Sequence, residues 1–181
     1  MSDAGTRIAA ILDEIGAREV LDIGCGAGGL ARMLTERGHA VTGIDPAQEA
    51  ITAARERVPG ARFIVGGAEA LPFGEDSFDA CIFLNSLHHV PGPLMQTALH
   101  EALRVLRPSG EVVIVEPLAR GAFFEVMRPV EDESDIRSAA ITAIDAVRGA
   151  ANGPAPMTWE RPTPVADVEA FITYLARVDP A

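Results

Sequence analysis

With 181 residues, 48% of them hydrophobic and 23% charged, the chain is long enough to bury one substantial core and too apolar to stay disordered. A formal net charge of −11 repels phosphate backbones and anionic lipid heads, so neither nucleic acid nor a membrane surface is an expected partner. The two cysteines, Cys25 and Cys81, have no metal-ligand or redox spacing, and no metal site is expected. No apolar run approaches the ~20 residues of a membrane helix, and Met1–Ile8 carries Asp3 and Arg7 where a signal peptide needs an apolar core. The expected location is cytoplasmic.

In chain order, Ile8, Ile11, Leu12 and Ile15 share one helical face, and Val20–Ile23 follows as a buried strand stopped by glycines. Leu30, Met33 and Leu34 mark a helix ending at Gly38, a favourable C-terminal cap. Val41–Ile44 is a second strand. Pro46 opens a helix with Ile51, Ala54 and Val58 on one face, broken by Pro59-Gly60. Phe63–Val65 and Ala80–Leu84 are short strands. Leu99, Leu103 and Leu106 line the next helix, closed by Pro108-Ser109-Gly110, and Val112–Val115 is a fifth strand. This alternation predicts a parallel sheet with helices on both faces, in strand order 3-2-1-4-5. After Pro117 the reading is an acid-rich stretch over Glu125–Asp135, then an amphipathic helix on Ile136, Ala140, Ala143, Ile144 and Val147. A short strand is expected near Met157-Thr158-Trp159, with a last helix on Val168, Phe171, Ile172 and Leu175.

Chemistry concentrates first in Val20-Leu21-Asp22-Ile23-Gly24-Cys25-Gly26-Ala27-Gly28-Gly29-Leu30, a strand that turns through glycines into a helix. Glycines there allow positive φ and close ligand approach. Their spacing fits both G-x-G-x-G and the dinucleotide fingerprint G-x-G-x-x-G, so the glycines alone leave the ligand open. Asp22 favours a ligand with a cationic end over an anionic pyrophosphate; the plainer reading is a carboxylate that only bonds the loop N–H groups. Asp45, at the end of the second strand, can accept both ribose hydroxyls of an adenosine or can cap the helix opened by Pro46.

The run Gly66-Gly67-Ala68-Glu69-Ala70-Leu71-Pro72-Phe73 is followed by Asp76-Ser77-Phe78-Asp79, Leu87-His88-His89-Val90 and Leu106-Arg107-Pro108-Ser109-Gly110. With the two preceding motifs it resembles the type-11 branch of the class I S-adenosylmethionine-dependent methyltransferases, over roughly Glu19 to Pro117. The resemblance implies a Rossmann-like doubly wound α/β sheet, mostly parallel, with residues 1–117 as the cofactor-binding core. Residues 118–181 would belong to the same domain, and Leu118–Gly153 would supply most of the substrate wall. It implies S-adenosyl-L-methionine as cofactor and methyl transfer to a small-molecule acceptor. Asp22 and the backbone of Gly24, Cys25, Gly26 and Gly28 would hold the methionine end, and Asp45 with Pro46 the ribose. Ala68 and Glu69 would border the adenine, and Asn85 would line the methionine side.

One departure stands out: Gly67 occupies the place of a family aspartate that bonds the adenine amino group, leaving Glu69 or an ordered water to take over. His88 and His89 lack the i, i+4 spacing of helical metal ligands. His89 is the candidate general base, against the plainer reading of a packed or hydrogen-bonded histidine. Glu116 and Pro117 read as closing the pocket, Trp159 and Phe171 as core, and Glu131-Asp132-Glu133 as a solvated run rather than a lure for a cationic acceptor. The family ends in two further strands where this chain offers at most one, which points to a shortened chain or a missing last strand. The alternatives kept open are a nicotinamide-dependent oxidoreductase and a cofactor-binding module without activity.

Overall fold

Residues 3–150 and 153–159 are described by a computed structural model. Its elements are α1 (Asp3–Glu14), β1 (Glu19–Ile23), α2 (Gly29–Glu36), β2 (Ala40–Asp45), α3 (Gln48–Arg57), β3 (Arg62–Val65), β4 (Phe78–Leu84), α4 (Met95–Val105), β5 (Leu106–Val115), α5 (Ala122–Met127) and α6 (Ser134–Ala150). The strands form one sheet in the order β3-β2-β1-β4-β5, every neighbouring pair parallel. This is the Rossmann-like doubly wound arrangement expected from the alternation of elements.

Burial explains why the strands read as unbroken apolar runs: both faces of a parallel sheet are covered. Alternate residues of β1 and β4 serve opposite sides. Val20, Ala80 and Ile82 pack with Ile8 and Leu12 of α1, Leu34 of α2 and Ile51 of α3. Leu21, Ile23, Cys81 and Phe83 pack with Leu99 of α4 and Ala140 and Ala143 of α6. The helix after Pro117 thus seals the same core as the strands. Among the described residues no helix is long and apolar enough to cross a membrane.

The loop after β3 is tied down by α4. Glu101 accepts the N–H of Leu71 at 2.9 Å, while Arg104 donates to Glu101 and to the carbonyls of Phe73 (2.9 Å) and Leu71 (3.1 Å). Leu71 is buried, and Phe73 meets Phe78 edge to face at 5.0 Å. The Leu71-Pro72-Phe73 motif is therefore an anchor that fixes the direction in which Gly66–Glu69 leave the sheet. Asp79 is a second staple. Its carboxylate accepts the N–H groups of Arg18 and Glu19, both at 2.8 Å, and pairs with Arg107 at 2.5 Å. Desolvation would raise the Asp79 pKa, but these backbone bonds and the Arg107 guanidinium hold it below its ordinary value.

Two expectations are corrected. Pro108-Ser109-Gly110 does not close the helix, and Leu106 is not part of it, because α4 ends at Val105 and β5 already begins at Leu106. Leu106 pairs with Phe78, and regular pairing resumes at Ala80 and Glu111. The intervening residues bulge where Pro108 has no N–H to donate, and Gly110 lies so close to the Asp79 carbonyl that a Cβ would sit 2.8 Å from it. Second, no strand forms at Met157–Trp159. That segment meets α1 through side chains, with Arg7 3.5 Å from the Met157 sulfur and 4.9 Å over the Trp159 ring. The helix expected on Val168–Leu175 lies outside the described residues.

Candidate functional site

A cavity of about 630 Å³ opens at the carboxyl ends of β1, β2, β3 and β4, where the strand order reverses between β1 and β4. Ligands of open α/β sheets bind at such crevices, in volumes of ~300–1,000 Å³. Its wall includes Gly24, Gly26, Asp45, Pro46, Ala68, Glu69, Asn85 and His89 from the sequence-based expectations, and Gly67. Ile23, Ile44, Phe83, Ser86, Val90 and Pro91 complete most of the rest.

The glycine loop is held by β2. The N–H groups of Gly24 and Cys25 both donate to the Ile44 carbonyl, at 2.8 and 3.1 Å. Gly26 donates to Asp45 Oδ2 at 2.9 Å, and Asp45 Oδ1 accepts the N–H of Ala47 at 2.9 Å. Asp45 thus clamps the glycine loop and braces Ala47, the residue before α3, while the helix itself receives no side-chain cap. A carboxylate offers about four acceptor positions, so two remain for a ligand hydroxyl pair. Gly24 has φ +73°, and a Cβ there would overlap that of Ser86, whose hydroxyl donates to the Ile23 carbonyl at 2.6 Å. At Gly26, with φ +51°, nothing lies within 4 Å of where a Cβ would point, so a ligand can approach the backbone.

Three expected cofactor residues stand behind the loop and not on the wall. Gly28 gives up its side chain so that Phe63, Ala54 and Val58 can pack at the start of α2, each 3.2–3.3 Å from a hypothetical Cβ. Cys25 is buried, and its thiol pKa is pushed up by burial and then by Asp22 and Asp45, so it is inert. Its sulfur, with Phe63, also explains why position 43 is glycine: a Cβ would meet either at 2.7 Å. Asp22 is 2% exposed, with a bond from the Ala31 backbone and no partner for Oδ2. Burial foremost, then the Asp45 charge, pushes its pKa up to about 7 against the Ala31 hydrogen bond.

Because the folded pKa of Asp22 lies above its unfolded value, its contribution to stability is full at acid pH and is lost as pH rises through about 7. Raising pH from about 5 to about 8 should cost the wild type up to roughly 3 kcal/mol relative to Asp22→Asn. Denaturant midpoints of both proteins across that range check this, and parallel profiles would refute it.

The two histidines diverge. His88 is buried, and its Nδ1 pairs with Glu116 Oε2, while Glu116 Oε1 accepts the N–H groups of Ser86 (3.1 Å) and Leu87 (2.8 Å). Neither Glu116 nor Pro117, expected to close the pocket, lines the cavity. With its side chain only 3% exposed, Glu116 clasps the 3₁₀ turn Leu87–His89, whose last residue, His89, lines the cavity. This was missed because its partners lie some 28–30 residues away; the available signal was an acid at an apolar strand's end, as at Asp22. No described residue of 118–153 lines this cavity. Among the described residues no group of three His, Cys, Asp or Glu could hold a metal.

Open backbone at Gly26, free acceptor capacity on Asp45 and a buried carboxylate behind the loop together fit a nucleoside with a cationic tail. Residues 20–110 match the family model described as "Methyltransferase domain", half of the chain. The chain belongs to this family, the class I S-adenosylmethionine-dependent methyltransferases. It is 40% identical over 101 residues to the phthiotriol/phenolphthiotriol dimycocerosates methyltransferase of Mycobacterium tuberculosis, covering 54% of this chain and 37% of that protein. A TehB-like SAM-dependent methyltransferase from Corynebacterium glutamicum superposes with TM-score 0.57 at 28% identity, covering 75% of this chain and 70% of that one. A SAM-bound amino pentose methyltransferase from Micromonospora echinaspora gives 0.59 at 25%, covering 64% and 50%. The chain spans less than half the length of the curated relatives it matches.

Proposed function

We propose that this chain binds S-adenosyl-L-methionine and directs its methyl group to a small-molecule acceptor. When bound, the cofactor supplies a methyl on a sulfonium leaving group, so the protein's task is alignment and exclusion of water. The observation that carries the reading is Asp45, which clamps Gly26 and still has acceptor capacity toward the cavity. In this reading the loop Gly24–Gly28 holds the methionine end, with Asp22 and Cys25 supporting it from behind. Asp45 and Pro46 hold the ribose, Ala68 and Glu69 the base, and Asn85 the side of the transferred methyl. His89 is the group placed to take a proton from a neutral acceptor.

Residues 1–117 form the cofactor half. The acceptor enters past His89, Val90 and Pro91, a turn backed by α6. Named relatives act on a phthiotriol lipid and on an amino pentose; both are small-molecule acceptors, the class proposed here, and nucleic acid is not. Two buried free thiols support a reducing, cytoplasmic setting. The test is incubation with trideuteromethyl-labelled cofactor and panels of hydroxylated lipids and aminosugars, read by mass spectrometry. A labelled acceptor formed together with S-adenosylhomocysteine is expected. Hydride transfer from NADH with no label transfer would overturn the reading.

A further inference from the structure

Asp22 lies beneath the glycine loop at the end of β1, 2% exposed, and its Oδ2 has no partner among the described residues. A hydrogen bond comes from the backbone of Ala31, in the first turn of α2. The surroundings bring no positive charge. Its strand neighbours are Gly43 of β2 and Ile82 of β4, and Asp45, two residues past Gly43, opposes it with a like charge. Cys25 above it is a neutral thiol, and Glu19 is exposed at the far end of β1. On the helices that cover this face the titratable groups lie at the surface. Asp13 and Glu14 of α1, Arg32 and Glu36 of α2, and Glu49, Arg55, Glu56 and Arg57 of α3 are exposed, while Arg7 of α1 lies over Trp159. An ionised carboxylate so placed has neither water nor a counter-charge. Burial and Asp45 accordingly push its pKa up to about 7.

A cation held on the loop reverses that balance, because a charge acting through a water-poor layer is only weakly screened. The methyl donor and its product differ there by a single charge: the sulfonium is positive, and the thioether left after transfer is neutral. This inference rests on the cofactor reading above, which sets the methionine end on Gly24–Gly28. We propose that Asp22 makes the site prefer the cationic methyl donor to its neutral product, ionising when the sulfonium is bound and taking a proton back from solvent when only the thioether remains. The loop keeps the two apart. Gly24 and Cys25 are pinned to the Ile44 carbonyl, and Gly26 turns open backbone to the cavity. Asp22 therefore acts by charge from behind a fixed layer and does not touch the reacting atoms. By linkage, a group that ionises on binding releases a proton, so donor affinity rises with pH until Asp22 is ionised in the free protein as well.

The test is calorimetric titration of the wild type and Asp22→Asn with S-adenosylmethionine and with S-adenosylhomocysteine, without acceptor, in buffers of differing ionisation enthalpy. Between about pH 5.5 and about pH 7 the α-amino group of either ligand stays mostly protonated, so proton release reports the protein. The wild type is expected to release more protons on binding the donor than on binding the product. Its preference for the donor should grow about threefold or more across that range. Asp22→Asn should show a smaller preference that does not change with pH. A wild type that releases the same number of protons with both ligands overturns this assignment, whether or not the variant folds. So does an Asp22→Asn protein that keeps the pH-dependent preference. A wild type that binds neither ligand overturns the cofactor reading and this assignment with it.

Discussion

Asp45→Ala is expected to lose at least tenfold in affinity for S-adenosylhomocysteine and to melt several degrees lower in the same preparation. The double effect follows from the double duty of the carboxylate. Its two oxygens already hold the Gly26 and Ala47 N–H groups, each at 2.9 Å, so removal frees both the glycine loop and the turn that leads into α3. Loss of a hydrogen bond to a charged acceptor costs ~1.5–3 kcal/mol, and a chain of this size shifts by roughly 2–4 °C per kcal/mol. Charge-assisted bonds to a ribose contribute ~1.5–3 kcal/mol each, more than the ~1.4 that a tenfold change requires. Asp45→Asn keeps one carbonyl acceptor and should recover part of both losses. Calorimetric titration and thermal melting of each variant check this. Lower stability with wild-type affinity would confine Asp45 to holding the loop and the turn before α3.

Glu116→Ala should be the most destabilising single change at the site. The carboxylate is 3% exposed, accepts two backbone N–H groups and pairs with a histidine that is itself 5% exposed. Truncation leaves Ser86 and Leu87 with unpaired buried donors and His88 without its partner. Breaking a buried pair of this kind costs ~3–5 kcal/mol, a large part of a typical ~5–15 kcal/mol total. Glu116→Gln, which keeps one carbonyl oxygen for the two N–H groups, should recover a portion. Denaturant unfolding measures the difference. A loss within about 0.5 kcal/mol, the range of ordinary surface changes, would mean that the clasp contributes nothing.

Much of the fold was legible because burial on both faces leaves β1, β2 and β4 as short apolar runs, β1 stopped by Gly24 and β2 by Pro46. The strand order followed from the same alternation. The ends were less legible. Leu106 joins β5 by pairing with Phe78, a non-local bond that the local breakers Pro108 and Gly110 conceal. At the site, residues that line the cavity through local backbone geometry, such as Gly24, Gly26 and Asp45, could be read from spacing. Asp22 could have been placed better: strand alternation sets it on the Val20 face, behind the loop. The packing reason for glycine at positions 28 and 43 is not legible in the sequence, because in each case it includes a distant side chain, Phe63. Glu116 depends on partners across the sheet edge and carried no local pattern. The departure at Gly67 was visible in the sequence, but only the structure shows that Glu69 takes up the space it leaves.

The central claim is that the cavity binds an adenosine joined to a cationic or zwitterionic amino-acid tail and not to a pyrophosphate. Side-by-side calorimetric titration with S-adenosylhomocysteine and NADH tests it most directly, because both carry the adenosine that Asp45 can hold. They differ in what reaches the glycine loop and the buried Asp22. Saturable binding of S-adenosylhomocysteine with no measurable heat from NADH is the result predicted. Equal or tighter binding of NADH would contradict it.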